Sequence, residues 1–416
     1  MRLLYNFSIQ LYTVSIALYA AFNDKAKLWI NGRKNWKFKL QQFDFKSKEI
    51  YWFHCASLGE FEQGRTLIEE IKLNPKNKVL LTFFSPSGYE LRKNYKGADW
   101  ILYLPSDTPA HAQFFIEQIN PKAAFFIKYE FWFNHLNELK IRNIPVFLVS
   151  GIFRENQHFF KWYGTWASKQ LVAFTYFFVQ NQQSLQLLHQ LGYQNANVTG
   201  DTRFDRVFQI MQERKKFETV ELFANNALII VAGSTYWEDE KLLHSAFTKL
   251  QQKHKNMKLI IAPHVVSATG INETENLFGK ELCVRFSQLN DEVKHKRVLI
   301  IDNIGMLSSL YAYAAIAYIG GGLGKGIHNT LEAAVYGIPL LFGNNYHKFD
   351  EAKALLEVGA AFVISNETEL IHQIEGLITN EDVRTTAGIN AANYVTAQKG
   401  AVNKILAVLK QKNIVD

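Results

Sequence analysis

Only two cysteines, Cys55 and Cys283, occur among 416 residues, and both sit inside apolar runs. A disulfide framework is thereby excluded, and two buried free thiols in a reducing cytoplasm are the simpler reading. No Cys/His cluster has metal-ligand spacing and no Asp-x-Asp pair occurs, so a dedicated metal site is not expected. No P-loop and no Gly-x-Gly-x-x-Gly frame opens the first βα unit, which removes two common nucleotide fingerprints. Short-period repeats and low-complexity segments are missing as well.

The chain does have length for two domains, with 48% apolar and 14% aromatic residues to fill two cores. Its net charge of +8 favours an acidic partner, whether phospholipid, phosphorylated glycolipid or nucleic acid, without choosing among them. Residues 3–23 carry no charge, and at ~1.5 Å per residue a helix of that length reaches about the thickness of a bilayer core. Asn6, Gln10 and Thr13 form a polar stripe on it, and Ser8 and Ser15 dilute it further, so a shallow anchor competes with a full span. No small-residue cleavage site follows before Asp24, which argues against a signal peptide. The stretch from Lys25 to Lys48 carries Lys25, Lys27, Arg33, Lys34, Lys37, Lys39, Lys46 and Lys48 against Asp24 and Asp44. That basic flank places its side in the cytoplasm, and the interleaved Trp29 and Trp36 suit a headgroup layer. A buried N-terminal helix with a solvated basic loop is the alternative.

Beyond this the pattern alternates strand and helix. Strands are predicted at 50–54, 78–83, 100–103, 123–127, 146–149, 176–179 and 197–199, then at 227–232, 258–262, 297–301, 315–319, 338–342 and 361–364. The order implies an α/β chain with parallel sheets covered on both faces. A break falls near 205–222, and the chain is helical from Glu381 on, with Ile405, Leu406 and Leu409 as an apolar stripe. Two α/β halves with a cleft between them would bind ligands beyond the carboxyl ends of their strands.

The motifs at those strand ends carry the chemistry. Gly320–Gly326 holds five glycines in seven residues, then a helix is expected to open near Asn329, a corner suited to phosphate. Ser57-Leu58-Gly59-Glu60 fits a capping box, so Glu60 either only caps or serves as a general base. A helix start would lower its pKa and leave it ionised at pH 7 but a modest base. Glu130, among Tyr129, Phe131 and Trp132, suggests a site or a buried ion pair with Lys128. Arg203 follows a strand and Gly200; Asp201 or Asp205 could hold it, or its charge could meet a phosphate or carboxylate. Gly233-Ser234-Thr235 reads equally as a phosphate turn or a helix N-cap, and Pro263-His264 ends a strand. Asn329-Thr330-Leu331-Glu332 has capping spacing, and the same carboxylate could accept ribose hydroxyls.

These motifs in this order, His54-Cys55-Ala56-Ser57-Leu58-Gly59-Glu60, Ser106-Asp107, Glu130-Phe131-Trp132, Gly200–Asp205, Ile304–Leu307 and Gly320–Glu332, resemble the 3-deoxy-D-manno-octulosonic acid (Kdo) transferases of Gram-negative bacteria. The resemblance covers almost the whole chain. It implies a GT-B fold, two Rossmann-like domains facing a central cleft, with an N-terminal membrane-anchor helix. The domains would be the anchor at 1–23, an acceptor domain at 24–210, a CMP-Kdo-binding domain at 211–395, and a terminal helix at 396–416 that could pack back on the first domain. Implied are an inverting, metal-independent transfer of Kdo from CMP-Kdo to the lipid A precursor at the cytoplasmic face of the inner membrane, with no cofactor and no nucleic acid partner. Glu60 matches the general base, and Glu130 and Arg203 match transition-state stabilisers, although the family usually has Lys where Arg203 stands. Pro263, His264, Gly305, Met306, Leu307, Asn329, Thr330, Leu331 and Glu332 match the CMP-binding stretches. Many relatives carry a basic residue beside that proline, whereas here His264 precedes Val265, leaving Lys325 or the helix start to meet the donor phosphate. Another GT-B nucleotide-sugar transferase or epimerase, or a non-catalytic lipid-binding protein at the membrane surface, are the competing readings.

Overall fold

The computed structural model describes residues 1–45, 48–289 and 291–416, so Lys46 of the basic stretch lies outside the described residues. Apolar runs closed by glycine and polar turns become strands buried on both faces, as parallel sheets require. The first sheet comprises β1 (Glu49–Cys55), β2 (Asn77–Phe83), β3 (Trp100–Tyr103), β4 (Ala123–Ile127), β5 (Val146–Gly151), β6 (Tyr176–Val179) and β7 (Ala196–Val198). Its order is β3-β2-β1-β4-β5-β6-β7, parallel throughout. The second comprises β8 (Leu228–Thr235), β9 (Met257–Pro263), β10 (Cys283–Arg285), β11 (Val298–Ile300), β12 (Ile316–Ile319), β13 (Leu340–Gly343) and β14 (Ala361–Ile364). It too is parallel, in the order β10-β11-β9-β8-β12-β13-β14. Every predicted strand forms close to its expected bounds; only β10, a three-residue edge strand, has no pattern to announce it.

Alternation along β1 feeds two cores. Ile50 and Trp52 join Leu80, Phe126 and Leu148 on one face, and Tyr51, Phe53 and Cys55 join Leu81, Phe125 and Val149 on the other. The second face is completed from the far end of the chain, where the helix Ala401–Gln411 buries Val402, Ile405 and Leu409. Asp205 accepts the Gly400 N–H at 2.8 Å, and the Tyr51 hydroxyl donates to the Ile414 carbonyl at 2.9 Å. Residues Met1–Arg206 and Lys399–Asp416 accordingly form one compact unit and Val207–Gln398 the other. The boundary lies inside the helix Thr202–Gln212, within the stretch 205–222 where the pattern breaks.

Three helices precede β1: α1 (Arg2–Tyr19), α2 (Asp24–Gly32) and α3 (Trp36–Gln41). Among the described residues no helix is long and apolar enough to cross a membrane, so the full-span reading of residues 3–23 does not hold. Helix α1 instead lays a polar edge on the first unit. Tyr5 donates its hydroxyl to Asp107, and Asn6 accepts from Asn134 Nδ2 at 2.9 Å. Leu3, Leu4, Phe7, Leu11, Val14 and Leu18 remain exposed. The tryptophans do not face outward as the basic flank suggested. Trp29 is buried beneath Arg33, whose guanidinium lies 3.8 Å above the indole and donates to the Leu104 and Phe84 carbonyls. Trp36 packs on Phe114 and Phe115. A planar cation with its donors satisfied inside the fold is a packing element rather than a membrane contact.

Candidate active site

At the carboxyl end of the first sheet, β1 turns through Ala56 and Ser57 into α4 (Leu58–Lys72). Ser57 Oγ accepts the Glu60 N–H, and Glu60 Oε2 reaches back to the Ala56 N–H. The capping geometry is therefore real, but it is not the whole of Glu60. The residue is buried at 7% exposure, and burial first, then the neighbouring Glu130, push its pKa above the carboxylate range. The Ala56 and Ser57 N–H groups and Lys128 act the other way and are outweighed. The expected lowering by the helix start is thus overturned, because desolvation and a second carboxyl exceed what two cap donors supply.

Glu130 lies beyond β4, where Lys128 takes a left-handed conformation at φ +71°. Burial raises its pKa, partly offset by the Trp132 indole N–H, which donates to Oε2 at 2.8 Å. His54 Nε2 stands 3.4 Å from the same oxygen. Lys128 does not pair with Glu130 as the spacing suggested; its charge acts on Glu60 and its ammonium lies over Tyr129. The bulky neighbours have distinct tasks, Trp132 as donor and Phe131 as packing against Phe153 and Phe159.

Arg203 is held by Asp201, its Nε donating to Oδ2 at 2.8 Å, whereas Asp205 caps the C-terminal helix. Asp201 also accepts Gln63 Nε2, and Thr202 Oγ1 donates to the Gln63 carbonyl, so Arg203 is tied to the helix that carries Glu60.

In the second unit the sheet order makes β11, β9, β8 and β12 consecutive neighbours. Their carboxyl ends deliver Gly305-Met306-Leu307, Pro263-His264, Gly233–Tyr236 and the run from Gly320 to Glu332 side by side. The glycines of that run answer to backbone packing before any ligand. A Cβ at Gly322 would lie 2.5 Å from the Gly343 nitrogen, and Gly321 sits at φ +88°. Asp239 takes the Gly321 N–H at 2.9 Å, together with the Tyr236 N–H and the Tyr318 hydroxyl. The N–H of the turn is thereby spent on the protein's own acid. The expected helix near Asn329 is the single turn Leu331–Ala334, too short for an appreciable end charge. Asn329 accepts the Leu331 N–H and donates to Glu332 at 2.9 Å. Thr235 is a buried donor to Glu240, and the residue at the N-cap position of Trp237–Lys253 is Tyr236.

Sequence reasoning gave no weight to a ring cluster at this end. His264 and His328 stack with centroids 4.3 Å apart, Tyr236 lies against both, and Lys325 Nζ sits 4.4 Å over the phenol. Burial, then the charge of Lys325, lowers the His264 pKa; burial and His264 lower that of His328 to about 4. Both imidazoles are neutral at pH 7. His328 Nε2 and Thr330 Oγ1 are buried without a hydrogen-bond partner, polar atoms that a ligand could satisfy. His54, Trp132 and His328 stand inside motifs already singled out, which was the available signal; Tyr236 had none beyond following Gly233-Ser234-Thr235.

The profile of the family described as 3-deoxy-D-manno-octulosonic-acid transferase (kdotransferase) matches residues 34–206. A 3-deoxy-D-manno-octulosonic acid transferase of Aquifex aeolicus is 29% identical over 337 residues, 80% of this chain and 87% of the relative. One of Haemophilus influenzae is 25% identical, covering 86% of each. Among solved structures, the UDP-GlcNAc 2-epimerase of Neisseria meningitidis, bound to UDP-GlcNAc, aligns at TM-score 0.56 and 16% identity over 85% of this chain and 99% of its own. That likeness concerns the GT-B-like fold alone.

Proposed function

We propose that this chain, similar to Kdo transferases over most of its length, is a glycosyltransferase of that kind and moves Kdo from CMP-Kdo to the lipid A precursor with inversion. In this reading the first unit binds the acceptor and the second binds the donor, in the GT-B manner. Glu60 removes the proton of the attacking hydroxyl, and Glu130 and Arg203 stabilise the transition state. The single observation that carries the reading is the buried Glu60, whose raised pKa makes it a stronger base than an exposed carboxylate. The CMP-binding part falls to Pro263, His264, Gly305–Leu307 and Asn329–Glu332, with the unpartnered His328 Nε2 and Thr330 Oγ1 beside them. Lys325 supplies the cation that neutral His264 lacks. CMP leaves with one phosphate, so little charge develops and donor groups suffice without a metal or cofactor. The sugar's anomeric carbon takes oxocarbenium character beside its own carboxylate, and attack comes from the face opposite CMP.

The exposed apolar face of α1 supports attachment along the surface of the inner membrane, on its cytoplasmic side, where the acceptor's acyl chains lie. Purified protein given CMP-Kdo and lipid IVA should yield products heavier by Kdo in mass spectrometry, with CMP inhibiting more strongly than UDP and chelators without effect. Stronger inhibition by UDP would assign the donor to another nucleotide class.

A further inference from the structure

His54 is fully buried at the end of β1, and its hydrogen bonds fix its tautomer. Trp132 Nε1, which can only donate, lies 2.9 Å from His54 Nε2 and 2.8 Å from Glu130 Oε2, its one N–H shared between two acceptors, so Nε2 carries a lone pair. The ring proton is then on Nδ1, 2.9 Å from Thr82 Oγ1. Thr82 accommodates it, accepting from Trp52 Nε1 as well and donating its hydroxyl to the Phe53 carbonyl. The imidazole thus presents an acceptor 3.4 Å from Glu130 Oε2. Trp132 has one N–H for these two acceptors, so a carboxylate there divides that donor with the lone pair, whereas a carboxyl O–H gives Nε2 a donor of its own.

We propose that His54 is a positioning residue whose Nε2 accepts the hydroxyl of protonated Glu130, so that the one proton shared by the two carboxyls rests on Glu130 and Glu60 stays ionised. The inference rests on the reading of Glu60 as base and adds what sets its charge state. Burial, His135 and Arg33 hold His54 neutral against Asp107, so it does not take the proton itself. Around Glu60 the remaining groups are Lys128, which favours its charge, and the Cys55 thiol, kept protonated by burial. Two like charges this close disfavour double ionisation, and a shared proton goes where a partner awaits it.

The test is the pH profile of Kdo transfer. His54→Phe should shift the acidic limb upward by about one unit, with about a tenfold loss at pH 7 that recovers toward alkaline pH. His54→Gln, whose amide oxygen can accept, should restore the native limb. Glu130→Gln should move the limb to lower pH, and adding His54→Phe to it should shift nothing further, since the group acted upon is gone. An unshifted limb in His54→Phe, or additive shifts in the double variant, overturns the proposal. If His54→Phe fails to fold, ¹⁵N-histidine spectra of the native protein decide: an unprotonated Nε2 through pH 6–8 supports it, and an imidazolium or an Nε2–H tautomer overturns it. Transfer that survives Glu60→Gln sinks the base reading itself; an inactive Glu60→Gln with a native limb in His54→Phe sinks this inference alone.

Discussion

The two sheets share a strand count and a parallel pattern, yet their carboxyl ends are opposite in chemistry. The first carries two acids, buried Glu60 and half-buried Glu130, and raises the pKa of both. The second gathers neutral imidazoles, a phenol, one exposed ammonium and glycine backbone, with its own acid, Asp239, spent inside the turn. The fold therefore supplies two equivalent platforms, and a few residues after each strand decide what is done there. One end is made proton-hungry by desolvation; the other, on the proposed reading, offers a nucleotide phosphate neutral rings and one ammonium.

The largest expected effect breaks the first end. Glu60→Gln should lower transfer about 10²- to 10⁴-fold, the range of a lost general base, with the circular dichroism spectrum unchanged. CMP binding by calorimetry should survive, because the second end is untouched.

Gly322→Ala breaks the second. Its methyl group would meet the Gly343 backbone, and a destabilisation of about 1–3 kcal/mol, with loss of CMP binding, is expected from melting curves and titration.

A gentler test uses pH and stability. A carboxyl whose folded pKa is raised keeps its proton while the unfolded chain loses it, so the folded state binds more protons and stability falls as pH rises from the ordinary carboxylate pKa through the raised one. Glu60→Gln should thus melt higher than the native chain at pH 8 and equally at pH 4, the reverse of its effect on activity. An equal difference at both pH values would show that the fold does not penalise a charged Glu60.

Lys325→Ala should weaken CMP about three- to tenfold as one exposed charge-assisted contact is lost. The smallest effect is an expected constancy. Between pH 7 and 8.5 CMP affinity should stay flat, since His264 and His328 are already neutral, while transfer still follows the acids of the first end.

Much of this was legible in the sequence. Strand spans followed from apolar runs and their turns, and the Ser57–Glu60 cap from local spacing, because each depends on residues a few positions apart. The glycine run was visible but its reason was not, since Gly322 and Gly343 meet only once β12 and β13 pair. Trp29 and Arg33 read as a membrane flank because composition does not reveal that Leu104 and Phe84 offer carbonyls to the guanidinium. Helix α1 read as a candidate span for the same reason: its polar edge has partners, Asp107 and Asn134, that lie far along the chain.

By itself the sequence determined the alternation of strand and helix, the two α/β halves and the residues that stand at their strand ends, all consequences of short-range periodicity and capping. Tertiary structure alone decided that the charge of Glu130 bears on Glu60, that Asp239 occupies the glycine turn 82 positions away, and that His54 Nε2 stands 3.4 Å from Glu130. Charge state and hydrogen bonding depend on distance and water exclusion in space, and neither is a property of neighbours in the chain.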